Sequence, residues 1–182
     1  MFISKIFSFF FVCLLATCGN SISQLENTNQ IQLKEKAEFS LRMERSGCWK
    51  FCPIYKLIIQ PDGKVLFEGI QDTEVKGKVE SVLDKDKIIE LIAEVEKADF
   101  FLNKDSYTSA SDNCPSWAYD APTVILHINL NGKEKTITHS LGCKETYKID
   151  ELQKIFPQQL FNLENKIDEI VETKRWIGER KY

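Results

Sequence analysis

Apolar positions along the chain fall into three regimes. Ile6 to Ala16 is almost continuously apolar, Phe39, Leu41 and Met43 alternate with polar neighbours, and Ile88, Leu91, Ile92, Val95 and Ala98 recur every three or four residues. Period two is the mark of a half-buried strand, and a three-to-four spacing is the mark of an amphipathic helix. Residues 39–44 are therefore predicted as a strand. Tyr55–Gln60 and Val65–Glu68 flank Pro61-Asp62-Gly63, where Pro presets φ and Gly tolerates positive φ, so a hairpin is expected. Val75, Gly77 and Val79 suggest a fourth short strand. Asp84 is placed to cap a helix over about Lys85–Asp99, closed onto the core by Phe100, Phe101 and Leu102. A Ser/Asn/Asp-rich loop, 103–121, leads to a second hairpin, Thr123–Ile128 and Lys135–Thr138 around Asn131-Gly132, a pair suited to a type I′ turn. A last helix is expected from Pro157, carrying Leu160, Leu163, Ile167, Ile170 and Val171 on one face.

A shift of 69 residues lays Asp62-Gly63-Lys64 on Asn131-Gly132-Lys133, Leu57 on Leu126 and Ile59 on Ile128. Hairpin followed by helix thus occurs twice, a pattern that duplication and independent origin explain equally well. Neither unit buries its apolar face alone. The expected architecture is α+β: an antiparallel sheet of about six strands with two helices on one face, in the order β-β-β-β-α-β-β-α.

The apolar run at the start is about half the length that a spanning helix needs, and with Lys5 before it reads as an export signal. Leu15-Ala16-Thr17-Cys18 resembles the bacterial lipobox, in which the cysteine becomes the lipidated first residue; Thr17 stands where Gly, Ala or Ser is usual. Residues 1–17 are read as signal peptide, 18–36 as lipidated Cys18 and a flexible polar tether, 37–178 as a single domain and 179–182 as a tail. This places the protein in the bacterial cell envelope, held on a membrane by acyl chains, on the periplasmic side or the cell surface. Composition narrows the classes further. With 24 Lys+Arg against 27 Asp+Glu the net charge is −3, so a generic basic nucleic-acid binder is excluded, and 43% apolar residues exclude a disordered chain. Losing residues 1–17 removes only Lys5 among the charges, which makes the mature chain slightly more acidic and gives no attraction to anionic lipid beyond the anchor.

Cys48-Trp49-Lys50-Phe51-Cys52-Pro53-Ile54-Tyr55, followed by Asp62-Gly63-Lys64-Val65 and Glu68-Gly69, resembles a family described as a domain of unknown function, DUF6438. The likeness runs on through Ala98-Asp99-Phe100-Phe101, Tyr107, Asp120-Ala121-Pro122-Thr123, Ile167-Asp168-Glu169-Ile170 and Thr173-Lys174-Arg175-Trp176-Ile177-Gly178. It spans about residues 39–178. The resemblance implies exported bacterial proteins, often lipoproteins, with no assigned activity and no agreed catalytic residues. Lys50 stands where the family usually has Gly, Cys114 and Cys143 lie outside its motif, and residues 143–156 read as an insertion.

Of six cysteines, Cys13 leaves with the signal and Cys18 takes lipid. The remaining four, Cys48, Cys52, Cys114 and Cys143, read first as two disulfides, an even number in an exported domain. If the second hairpin turns at Asn131-Gly132, Cys143 lies opposite residue 120 and near Cys114, which favours 48–52 with 114–143 over crossed pairings. The alternative is soft-metal chemistry: Cys-x-x-x-Cys-Pro resembles the motif of Sco-type copper chaperones, and Cys48, Cys52 and His139 would suit Cu(I) or Zn(II). Those chaperones place the motif between strand and helix, whereas here it precedes a strand entering a hairpin. Thiol redox catalysis wants a thiolate stabilised by a helix N-terminus or a cation, and only Lys50 is near in sequence.

His127 and His139 are the only histidines, both in strands of one predicted hairpin and read as packed or surface residues. Catalytic triads, Glu-flanked metal motifs, Gly-rich phosphate loops and paired carboxylates are absent from the sequence. Trp49, Phe51, Trp117 and Tyr119, with Asp112 and Asp120 bordering the last two, are read as rings covering the edges of the sheet. The alternative is an exposed patch for a protein or glycan partner. Lys174-Arg175 and Arg180-Lys181 are read as a solvated basic end. The expected function is a non-catalytic binding or structural module with no cofactor, stabilised by disulfides; the alternative is a metal-binding or thiol redox protein using Cys48 and Cys52.

Overall fold

The computed structural model describes residues 37–49, 51–112, 114, 118–143 and 158–178. The signal, Cys18, the tether, Trp117, Pro157 and the basic pair 180–181 lie outside the described residues. Seven strands form one sheet: β1 (Phe39–Arg45), β2 (Ile54–Ile59), β3 (Lys64–Gln71), β4 (Gly77–Val82), β5 (Ser106–Tyr107), β6 (Thr123–Leu130) and β7 (Lys133–Ser140), in the spatial order β4-β3-β2-β1-β6-β7-β5. Helices α1 (Lys85–Lys97), α2 (Gln158–Val171) and the short α3 (Lys174–Ile177), with 3₁₀ turns at Phe100–Leu102 and Ala110–Asp112, complete the described elements. The α+β architecture expected from the sequence is what forms.

β1 is the axis of this sheet. Hairpin β2–β3 pairs on one side of it and hairpin β6–β7 on the other, both antiparallel. Met43 stands between Leu57 and Leu126, and Leu41 between Ile59 and Ile128. The residues related by the 69-residue shift therefore flank the same β1 residues, so the internal similarity is expressed in register as well as in order. The two turns differ in detail. Asn131 and Gly132 both have positive φ, as a type I′ turn requires, whereas in the first hairpin only Gly63 does, closing its turn by a bond to the Gln60 carbonyl.

Alternation decides which face is covered. Phe39, Leu41, Met43, Tyr55, Leu57, Ile59, Val65, Phe67, Val124, Leu126, Ile128 and Ile137 all point to the helix side and are buried. Against them pack Leu91, Ile92 and Val95 of α1 and Leu160, Leu163, Ile167, Ile170 and Val171 of α2. At ~1.5–3 kcal/mol for each large apolar side chain removed from water, this one layer supplies most of the driving force for folding. The opposite face, with Arg42, Glu44, Lys56 and Ile125, carries no helix among the described residues and is partly open.

Several details depart from the sequence reading. The sheet has seven strands, not six, because Ser106–Tyr107 pairs in parallel with Thr138–His139 inside the stretch read as loop. Two residues are too short to carry a period. α1 stops at Lys97, ended by Ala98 and by Asp99 with positive φ, and its N-cap Asp84 makes no side-chain capping bond. Leu102 is 80% exposed; only Phe100 of the three residues expected to close that helix is buried. Val75 precedes β4, its N–H donating to the Trp176 carbonyl at 2.9 Å. Lys174 and Arg175 belong to α3, where the Arg175 guanidinium lies 4.3 Å from the ring centre of Trp176, itself packed on Phe67.

Candidate functional site

The β1–β2 connection, residues 46–53, rises beyond the paired ends of the sheet. Its neck is closed by the Cys48–Cys52 disulfide, with Cα atoms 5.5 Å apart. Bonding cysteines four positions apart closes a ring too small to bury large side chains within itself. Trp49 is accordingly 81% exposed and Phe51 77%. This corrects the expectation that these rings cover the core edges. Tyr119, 81% exposed, lies at the same end of the sheet, just before β6. Leaving rings this large in water forgoes ~1.5–3 kcal/mol each.

The base of this tip is held from beneath by charge. Arg45 and Tyr55 are the last β1–β2 pair, one on each side of the loop, and both point into the core. The Arg45 guanidinium donates to Asp168 Oδ2 on α2 at 2.8 Å and to the Glu164 carbonyl at 3.0 Å. The Tyr55 hydroxyl donates to Asp168 Oδ1 at 2.6 Å, and Thr173 donates to the same oxygen at 2.8 Å. Burial works against the Arg45 charge, yet Asp168, with Tyr55 and Glu164 adding to it, holds the guanidinium above the ordinary arginine range. Burial first and then the Asp168 charge push the Tyr55 hydroxyl well above the ordinary tyrosine range, so it stays a donor at physiological pH. A neighbouring pair extends the set, with His139 Nδ1 3.0 and 3.1 Å from the two Glu164 carboxylate oxygens and both residues buried. Ser46 fastens the loop sideways: its N–H donates to the Thr123 carbonyl at 2.9 Å and its Oγ accepts the Thr123 N–H at 2.7 Å.

The second disulfide, Cys114–Cys143, has a different setting. Its cysteines are 29 positions apart and 0% and 1% exposed. It ties the loop containing β5 to the end of β7, where Gly142 passes so close that a Cβ there would stand 2.6 Å from the Ala121 Cβ. In the same loop Asp112 accepts from Ser106 and Thr108 at 2.8 Å each, which lowers its pKa. On the open sheet face below the tip is a hollow of about 190 Å³ lined in part by Ile54, Ile70 and Ile125, with Glu44 and Lys56 paired at 3.3 Å across its rim.

The cysteine pairings 48–52 and 114–143 favoured by loop geometry are those present. The structure does not assemble Cys48, Cys52 and His139 as a ligand set: the two sulfurs are bonded to each other, and His139 lies in the core against Glu164. No group of three or more metal-ligating side chains occurs among the described residues. His127 is on the other face of the hairpin, beside Thr136. Arg45, Glu164, Asp168 and Thr173 went unread as a group. A signal existed for two of them: Arg45 continues the inward series Phe39, Leu41, Met43, and Glu164 falls on the apolar face between Leu160 and Ile167. A charge in the buried phase of an amphipathic pattern announces a buried partner.

No helix among the described residues is long and apolar enough to cross a membrane. Two disulfides fit an oxidising compartment. Among curated proteins none matches the chain. Its family is nonetheless shown, because residues 39–171, from the first residue of β1 to the last of α2, match a family model: the chain belongs to the family described as a domain of unknown function, DUF6438.

Proposed function

We propose that this protein is an exported, lipid-anchored binding module of the bacterial cell envelope, without catalysis, which meets a protein or glycan partner through the tip formed by residues 46–53. One observation carries the reading: Trp49 and Phe51 stand in solvent on a ring closed by Cys48–Cys52 and braced from below by Arg45, Tyr55 and Asp168. Aromatic residues dominate binding hot spots, and a rigid presentation lowers the ordering cost of association. Leu15-Ala16-Thr17-Cys18 supports the anchor. The chain enters at Ala37 beside the Asn131-Gly132 turn, where Glu38 and Asn131 exchange bonds of 3.0 and 2.8 Å, at the opposite end of β1 from the tip. Seven residues at ~3.3 Å each separate the two ends by roughly 20 Å.

The test is a photo-crosslinking side chain placed at position 49, and as a comparison at the equally exposed Leu102, in protein retained in the envelope. Discrete adducts from position 49 alone are expected. Identical adducts from both positions, or none from 49, would overturn the reading, as would turnover of any substrate that is lost on changing one residue.

A further inference from the structure

The two disulfides are not equivalent as chemical targets. Exchange requires an attacking thiolate to reach a sulfur along the S–S axis, so access decides which bond reacts. Cys114 and Cys143 are 0% and 1% exposed. Cys48 and Cys52 are only partly covered and sit in the β1–β2 connection, on either side of the exposed Trp49 and Phe51. The fold also depends on the two bonds differently. With Cys48–Cys52 open, β1 and β2 keep their five-pair register from Leu41↔Ile59 to Arg45↔Tyr55, Arg45 and Tyr55 keep Asp168, and Ser46 keeps Thr123. Cys114 is held differently: among the described residues its loop carries one two-residue strand and local bonds such as Cys114 N–H to the Ser109 carbonyl, while Cys143 follows the end of β7.

We propose that Cys48–Cys52 is a thiol–disulfide exchange site, opened by a dithiol oxidoreductase of the envelope while Cys114–Cys143 stays closed. The chain's own cysteines need no activation for this, because the nucleophile belongs to the partner. A partner thiolate attacks one sulfur of the pair, forming a mixed disulfide and releasing the other as a thiolate that takes up a proton. The partner's second thiolate then attacks the partner's own sulfur in that mixed bond, closing the partner's disulfide and freeing the remaining cysteine, which is protonated in turn. Two electrons pass from the partner dithiol to the pair, and the partner leaves oxidised. The inference rests on the sulfurs and their access, not on the binding reading, and stands or falls apart from it.

The test uses the whole oxidised mature protein without denaturant and dithiothreitol as the dithiol. Samples are quenched with N-ethylmaleimide at intervals and alkylated cysteines are mapped by mass, with circular dichroism followed in parallel. Cys48 and Cys52 are expected to be alkylated at least tenfold faster than Cys114 and Cys143, with an unchanged spectrum, and to re-form their bond when oxidised glutathione replaces dithiothreitol. Opening of both pairs together, opening of Cys114–Cys143 first, loss of the folded spectrum as Cys48–Cys52 opens, or failure of the bond to re-form would each overturn the proposal.

Discussion

One molecule uses the same covalent bond in two opposite ways. Cys114–Cys143 lies buried and closes a long stretch of chain, fastening a loop with little regular structure to the end of β7. Cys48–Cys52 lies at the surface, closes a ring with only three residues inside it, and leaves two large aromatic side chains in water. The first bond adds a long-range tie to a loop whose described contacts are a two-residue strand and local bonds such as those from Ser106 and Thr108 to Asp112. The second shapes a segment whose ends are already held by β1, β2 and the charged base. What a disulfide contributes is thus decided less by the bond than by what else holds its two ends.

The most severe way to break this comparison is to remove the base. Asp168→Asn deletes the charge that Arg45 faces at 2.8 Å, leaving a buried guanidinium without its ion-pair partner. A loss of about 3–5 kcal/mol in urea unfolding is expected. A loss under ~1 kcal/mol would mean that the tip stands without its ionic support.

Replacing each cysteine pair by serine sharpens the contrast directly. In the chain-entropy treatment a closed loop of the 114–143 length is worth about 3.5 kcal/mol and one of the 48–52 length about 2 kcal/mol. Cys114→Ser with Cys143→Ser should therefore lower the unfolding free energy by roughly 1.5 kcal/mol more than Cys48→Ser with Cys52→Ser. Equal losses would erase the distinction between staple and tip.

The base also carries a pH signature. Tyr55 holds its proton more tightly folded than unfolded, so its contribution is complete below the unfolded tyrosine value near ~10 and is lost as pH rises above it. Thermal melts between pH 8 and 11 should show stability falling by up to ~1.4 kcal/mol per unit in the native protein, with a shallower fall in Tyr55→Phe. Matching curves would show that Tyr55 is not insulated by burial and Asp168.

The smallest effect belongs to the tip itself. Trp49→Ala with Phe51→Ala should change stability by no more than about 0.5 kcal/mol, because neither ring packs on the core. The same pair should abolish crosslinking from a probe at Tyr119 if the three aromatics act as one surface. A loss above 2 kcal/mol would instead return these rings to a structural role.

The periodicities along this chain were enough to specify its layers. Alternation marked β1 and both hairpins, three-to-four spacing marked α1 and α2, and turn residues at Gly63 and Asn131-Gly132 marked the reversals, because each signal acts over a few residues. The even number of cysteines pointed to two disulfides, and the hairpin predicted at Asn131-Gly132 favoured, without deciding, the pairings that form. Tertiary structure alone decided the rest. It brought Arg45, Tyr55, Asp168 and Thr173 together across more than a hundred residues, since the cost of burying a charge is met only by partners that the folded sheet and α2 deliver. It also decided that Trp49 and Phe51 face solvent, which depends on where a closed ring stands relative to the end of a sheet.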